Sequence, residues 1–194
     1  VSAPSSSQTV GPFFKYALER PAWSDLTSDG ARGERIRIVG RVLDGDGLPV
    51  PDALLEIWQA NAAGKYAHPA DTQDKPLDEH FRGFGRACAD DDGRFEFTTV
   101  LPGAVPGPNG ALQAPHVNLS IFARGLLRRL VTRAYFDDHA TENADDPLLS
   151  SIADPAVRAT LVATRESEST YRFDIVLQGG TGATGPIETA FLDV

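Results

Sequence analysis

Short runs of alternating apolar and polar residues, broken by glycine, proline and aspartate, make up most of this chain. From Arg35 onward, Ile36, Ile38, Gly40 and Val42 alternate with Arg35, Arg37, Val39 and Arg41, the period-two signature of a half-buried strand. Strands are also predicted over Asp52–Gln59, Phe84–Cys88, Arg94–Val100, Leu130–Phe136 and Tyr171–Leu177. The sharpest run is Pro115–Phe122, which sets Val117, Leu119 and Ile121 on one face and His116, Asn118 and Ser120 on the other. Asp44–Gly47 and Asp90–Gly93 carry tight-turn chemistry, because Asp and Gly tolerate the backbone angles a turn demands. Asp154-Pro155 reads as a helix start, with Asp as N-cap and Pro in the first turn, for a helix running to about Thr164. Ile187–Leu192 is expected to close a sheet edge. About seven short strands with one short helix predict an antiparallel β-sandwich or barrel.

Regular patterning is absent before Arg35, so residues 1–34 are expected to form an irregular arm that packs on its own core or on a partner chain, and residues 35–194 a single β domain. Within the arm, Thr9-Val10-Gly11-Pro12-Phe13-Phe14 is compact and aromatic. Residues 67–82, 101–115 and 137–153 read as long polar or Pro/Gly-rich loops, which are often functional inside a compact domain.

The net charge of −9 disfavours nucleic acid and anionic membrane as partners, although a local basic cluster can still take an anionic small molecule. Cys88 is the single cysteine, and residues 1–14 lack the basic and apolar regions of a secretion signal, so a reducing cytoplasm is the expectation. No run approaches the ~18 consecutive apolar residues of a membrane helix. Phosphate-loop, Cys-x-x-Cys, His-Glu-x-x-His and Gly-x-Ser-x-Gly motifs are all missing. His68, His80 and His139 fall in polar loops and read as surface residues. His116 stands out on its strand, but one His and one Tyr do not make a metal site, which needs three or four donors.

Several blocks, taken together and in order, resemble the intradiol ring-cleavage dioxygenases. They include Thr9–Phe13, Gly40–Asp44, Glu56-Ile57-Trp58-Gln59-Ala60-Asn61-Ala62-Ala63-Gly64-Lys65-Tyr66, Phe84-Gly85-Arg86, Asp92–Phe97 through Leu101-Pro102-Gly103, Pro115–Phe122 and Tyr171–Ile175. The resemblance implies a β-sandwich of the intradiol type. Catalytic members of that family hold non-haem Fe(III) on two tyrosinates and two histidines. Carried over position by position, the first tyrosine is Tyr66 and the first histidine His116, but the second tyrosine falls on Val105 and the second histidine on Asn118. The arginine expected shortly before the histidine pair has no counterpart, and Gln113 or its neighbours stand there.

That pattern resembles the non-catalytic α chains of the family's αβ members that act on protocatechuate. It implies that this chain binds no metal, keeping Tyr66, Val105, His116 and Asn118 as vestigial positions, and that a β partner holds the Fe(III). The assembly would insert both atoms of O₂ between the hydroxyl-bearing carbons of protocatechuate, giving 3-carboxy-cis,cis-muconate. No catalytic residue is expected here. Thr9, Gly11, Pro12 and Phe13 would reach the substrate pocket at the α–β boundary, and Arg133 would face the substrate carboxylate, which a guanidinium binds bidentately. Two other readings stand beside this one. A stand-alone prealbumin-like β-sandwich module fits Gly40–Gln59 and the Asp-Gly-x-Phe hairpin, but lacks the Trp58–Tyr66 block. A single-chain dioxygenase with a divergent site is the other.

Overall fold

The computed structural model describes residues 6–11, 13–107, 110–180 and 185–193. The described elements run α1 (Phe13–Leu18), β1 (Arg35–Leu43), β2 (Leu54–Trp58), β3 (Phe84–Cys88), β4 (Arg94–Val100), β5 (Val105–Pro106) and β6 (Leu112–Gln113). They continue through β7 (His116–Phe122), β8 (Leu130–Phe136), α2 (Ala140–Asp145), α3 (Pro147–Ser151), α4 (Pro155–Ala159), β9 (Val162–Ser167), β10 (Thr170–Arg172) and β11 (Ile175–Val176). Of the nine strands of the main sheet, eight follow one hydrogen-bonded path, β11-β1-β10-β9-β8-β7-β2-β3, and β4 pairs with the other edge of β1. Strands β5 and β6 form a separate two-stranded hairpin.

Alternation decides which face each strand buries. Ile36 and Ile38 of β1, Phe95 and Phe97 of β4 and Tyr171 of β10 meet Leu55 and Ile57 of β2 and Val117, Leu119 and Ile121 of β7 in one apolar cluster. The two ends of the strand path therefore share a core. A slip of one residue in any of these registers would turn its apolar set to solvent, so burial fixes the pairing. Buried Gln59, just past β2, ties the two ends with polar contacts: its Nε2 donates to the Val100 carbonyl at 2.9 Å and its Oε1 accepts from Thr99 Oγ1 at 2.7 Å. A smaller cluster of Ala114, Tyr135, Leu149 and Leu161 fixes the helical segment after β8.

Several expectations are corrected. The sheet is mixed rather than antiparallel, since β1 pairs in parallel with β10 and β11, and β8 with β9. Alternation reports a strand's faces but not its neighbour, so strand direction was not legible. There are four short α-helices among the described residues, not one. Two of them, α2 and α3, occupy the acidic stretch read as a loop, and α1 lies in the arm read as irregular. The helix from Asp154 is short, ending at Ala159, and the chain returns as β9. The Tyr171–Leu177 run breaks into β10 and β11, because the Asp174 carboxylate accepts the Arg41 amide at 2.9 Å where a ladder bond would stand. Residues 187–192 form no strand, although Thr189 and Leu192 donate single amide bonds to Val176 and Val131. Part of the arm is also tied down: Leu26 is buried in the core and Asp25 bridges to Thr98. No helix of the described residues is long and apolar enough to cross a membrane.

Gly40 lies where β1 changes partner from β10 to β11. A Cβ built there would come within 1.9 Å of the Phe173 carbonyl oxygen and 2.9 Å of the Phe95 ring. Overpacking of a closed core costs about 1–3 kcal/mol, so Gly40→Ala should lower the unfolding free energy by that amount, read as a lower urea midpoint with the slope unchanged. A midpoint equal to wild type would show that the β1 crossing point can relax.

Candidate functional site

The segment after β2 folds so that each residue of its motif has a task. Asn61 Oδ1 accepts the amides of Ala63 and Lys65, both at 3.0 Å, which closes a tight loop. Gly64 takes φ +75°, and a Cβ there would stand 2.2 Å from the Ala104 carbonyl oxygen, so the loop carrying Val105 can approach only a glycine. Lys65 is buried and donates to the Asp71 and Gln73 carbonyls. Asp71 in turn accepts the Tyr66 amide at 2.8 Å. Burial works against the charged form of Asp71, but the amides of Tyr66 and Gln73, the Gln73 side chain and Lys65 outweigh it and hold the carboxyl down at about 2. Tyr66 is thereby delivered onto Trp58, with ring centroids 5.7 Å apart and planes 14° from parallel. The stacked pair forms one wall of a cleft of about 560 Å³ that Val105, Pro106 and His68 also line.

Behind Tyr66 lies a polar network built on the β7–β8 ladder, whose register sets Asn118 opposite Arg133 and His116 opposite Tyr135. Asn118 Nδ2 donates to the Trp58 carbonyl at 3.1 Å and to the Tyr66 hydroxyl at 3.3 Å. Its Oδ1 accepts from Arg133 Nε at 3.0 Å. Arg133 Nη1 donates to Gln113 Oε1 and to the Tyr135 hydroxyl. The Tyr135 hydroxyl donates to fully buried Asp146 at 3.1 Å. Asp146 also caps α3 through the amides of Leu148 and Leu149 and accepts the Ala114 amide at 2.9 Å. Burial raises the hydroxyl pKa of Tyr66 and Tyr135, while the Arg133 charge pulls both down. His116 is only 3% exposed, and its Nδ1–H donates to the Ala114 carbonyl at 2.7 Å, leaving the lone pair on Nε2 in the neutral ring.

Tyr66, Val105, Asn118 and Arg133 are thus brought together, with His116 two residues from Asn118 along β7. The residues at the four ligand positions do not fit a ferric ion. Asn118 has committed both its amide groups, Val105 offers no donor, and the Arg133 guanidinium already places a positive charge beside Tyr66. Among the described residues no group of three His, Cys, Asp or Glu side chains could hold a metal. Arg133 reaches Gln113 from the neighbouring strand.

The arm lies elsewhere. Thr9 Oγ1 accepts the Gly125 amide at 2.7 Å, and Phe14 packs on Phe122 with centroids 5.8 Å apart. Four residues of strand, about 13 Å, separate Phe122 from Asn118. Gly11 is open, Phe13 is 78% exposed, and Pro12 lies outside the described residues. Within one chain, then, the arm and Arg133 do not line a common pocket. Tyr135 and Asp146 were not singled out by sequence reasoning, and Gln113 was noted only as standing where an arginine was expected. Tyr135 shared a face with Arg133, and Asp146-Pro147 carried the same capping signal as Asp154-Pro155.

Burial first, and the Arg133 charge second, depress the His116 pKa from 6.5 to about 4. The folded chain resists a proton that the unfolded chain accepts. The ring's contribution to stability is therefore complete above pH 6.5 and is lost as pH falls towards 4. Across that window wild type should lose about 3 kcal/mol more than His116→Gln in urea titrations. Parallel pH profiles for the two proteins would remove His116 from the account.

A dioxygenase family model matches residues 11–179. The chain is 40% identical to the protocatechuate 3,4-dioxygenase alpha chain of Pseudomonas putida, over 96% of this chain and 94% of that one. It is 42% identical to the alpha chain from Burkholderia cepacia, over 97% and 96%, and 41% identical to the beta chain of the same organism, over 82% and 73%. Among solved structures, the dioxygenase domain of a dioxygenase–carbohydrate-binding fusion from Streptomyces sp. SirexAA-E superposes with a TM-score of 0.59 at 26% identity, over 91% of this chain and 99% of that one. With this family match and these relatives, the chain belongs to the intradiol ring-cleavage dioxygenase family.

Proposed function

We propose that this chain is the non-catalytic α subunit of an Fe(III)-dependent protocatechuate 3,4-dioxygenase, and that its two sheet halves pack as a β-sandwich against a β chain that holds the iron. The observation that carries this reading is the Asn118–Arg133 contact, which puts a hydrogen-bonded guanidinium beside the tyrosine that catalytic relatives would give to the metal. Similarity to both alpha and beta chains of one enzyme supports a hetero-oligomer of related subunits.

In such an assembly Arg133 has a donor to offer. Its Nε and Nη1 are engaged, while Nη2 makes no hydrogen bond among the described residues, which suits the carboxylate of protocatechuate. Thr9, Gly11, Pro12 and Phe13 would act through a second chain, since the arm stands away from its own cleft and Phe13 is exposed. The chain's own residues then bind and orient the substrate and exclude water. The family's iron, held by the partner, supplies the chemistry that activates the ring and O₂.

Ring cleavage by this chain expressed alone and with a β chain tests the subunit reading. Activity is expected only from the pair, and full turnover by the single chain would contradict it. In the assembled enzyme Arg133→Ala should raise KM for protocatechuate at least about tenfold, the effect of losing one charge-assisted contact of about 1.5–3 kcal/mol, with kcat little changed. Unchanged kinetics would remove Arg133 from the substrate pocket.

A further inference from the structure

A second cleft, of about 510 Å³, lies between residues 19–24 and the outward faces of β1, β3 and β4, and shares no lining residue with the Trp58–Tyr66 cleft. Five arginines line it, Arg20, Arg41, Arg86, Arg94 and Arg172, against three carboxylates, in a chain whose net charge is −9. Two of those carboxylates are already engaged. Glu96 grips Arg37 through two bonds of 2.8 and 2.6 Å, and Asp90 accepts the amides of Asp92 and Arg94. The carboxylate of the third, Glu19, makes no hydrogen bond or ion pair among the described residues, and of the arginines Arg86 is paired with Glu56.

Arg41 is the group without an explanation. It is half-buried, and its guanidinium has no hydrogen bond or acidic partner among the described residues. The β1–β4 register sets it directly opposite Arg94. Arg172 stands beside Val39, two residues along the same face. Like charges directly across a ladder destabilise it. The charge of Arg94 is answered by Asp92 and that of Arg172 by Asp174, but nothing described answers Arg41. An anion lying between Arg41 and Arg94 would relieve the repulsion and receive planar N–H donors from both, the geometry that suits carboxylate and phosphate groups.

We propose that this cleft is a binding site for a small carboxylate- or phosphate-bearing anion, held chiefly by Arg41 and Arg94. Calorimetric titration of inorganic phosphate and, separately, of succinate into the assembled protein at low ionic strength tests it, and the two arms separate a tetrahedral from a planar anion. Saturable binding of at least one probe is expected, weakened tenfold or more in Arg41→Gln and in Arg94→Gln and unchanged in Arg128→Gln, which lies outside the cleft. Thermal melting identifies a variant that fails to fold, in which case the other arginine variant decides. Failure of both probes to saturate, as when a partner's acidic side chain fills the cleft, would overturn the proposal. So would wild-type affinity in the folded cleft variants.

Discussion

The hydrogen bond between Asn118 and Arg133 is the constraint on which the rest of the site depends. It joins two adjacent strands at the one level where the family's metal chemistry would be organised. Asparagine can do this because it has both a donor and an acceptor: one end holds the Trp58 carbonyl and the Tyr66 hydroxyl, the other receives the guanidinium. A neutral histidine at the same place would offer one donor and one acceptor, too few for all three contacts. The asparagine thus provides a seat for a fixed cation beside Tyr66. With Arg133 seated, Tyr135 and Asp146 complete a chain of bonds that ends in the cap of α3.

That chain of bonds braces one side of the site. The Trp58–Tyr66 stack, the Asn61 loop and the Gly64–Ala104 approach shape the cleft beside it. The arm follows a different logic. It is fastened at Gly125 and Phe122, presents Phe13 outward, and faces away from the cleft of its own chain.

How much of this was legible in the sequence differs by element. The strands β1, β2, β3, β4, β7 and β8 were readable because each buries one face against the core, which imprints alternation. Strand β9 was not, since four of its six residues are exposed and nothing alternates. Helix α2 has no side-chain cap and buries no residue, and α3 is held by the Asp146 cap and one buried leucine, Leu149, too little apolar surface to mark a helical period. At the site, Tyr66, Val105, His116 and Asn118 were found by motif, and their convergence follows from strand register and one permissive glycine. Gln113, Tyr135 and Asp146 depend on contacts between a hairpin, a strand and a helix cap, which no local pattern records.

On the proposed reading, a seated guanidinium takes the place of the metal in this chain. Iron analysis of the chain purified alone from iron-replete cells, paired with its visible spectrum, tests this. Far less than one iron per chain and no tyrosinate-to-iron absorption are expected. One tightly held iron per chain, with that absorption present, would contradict it.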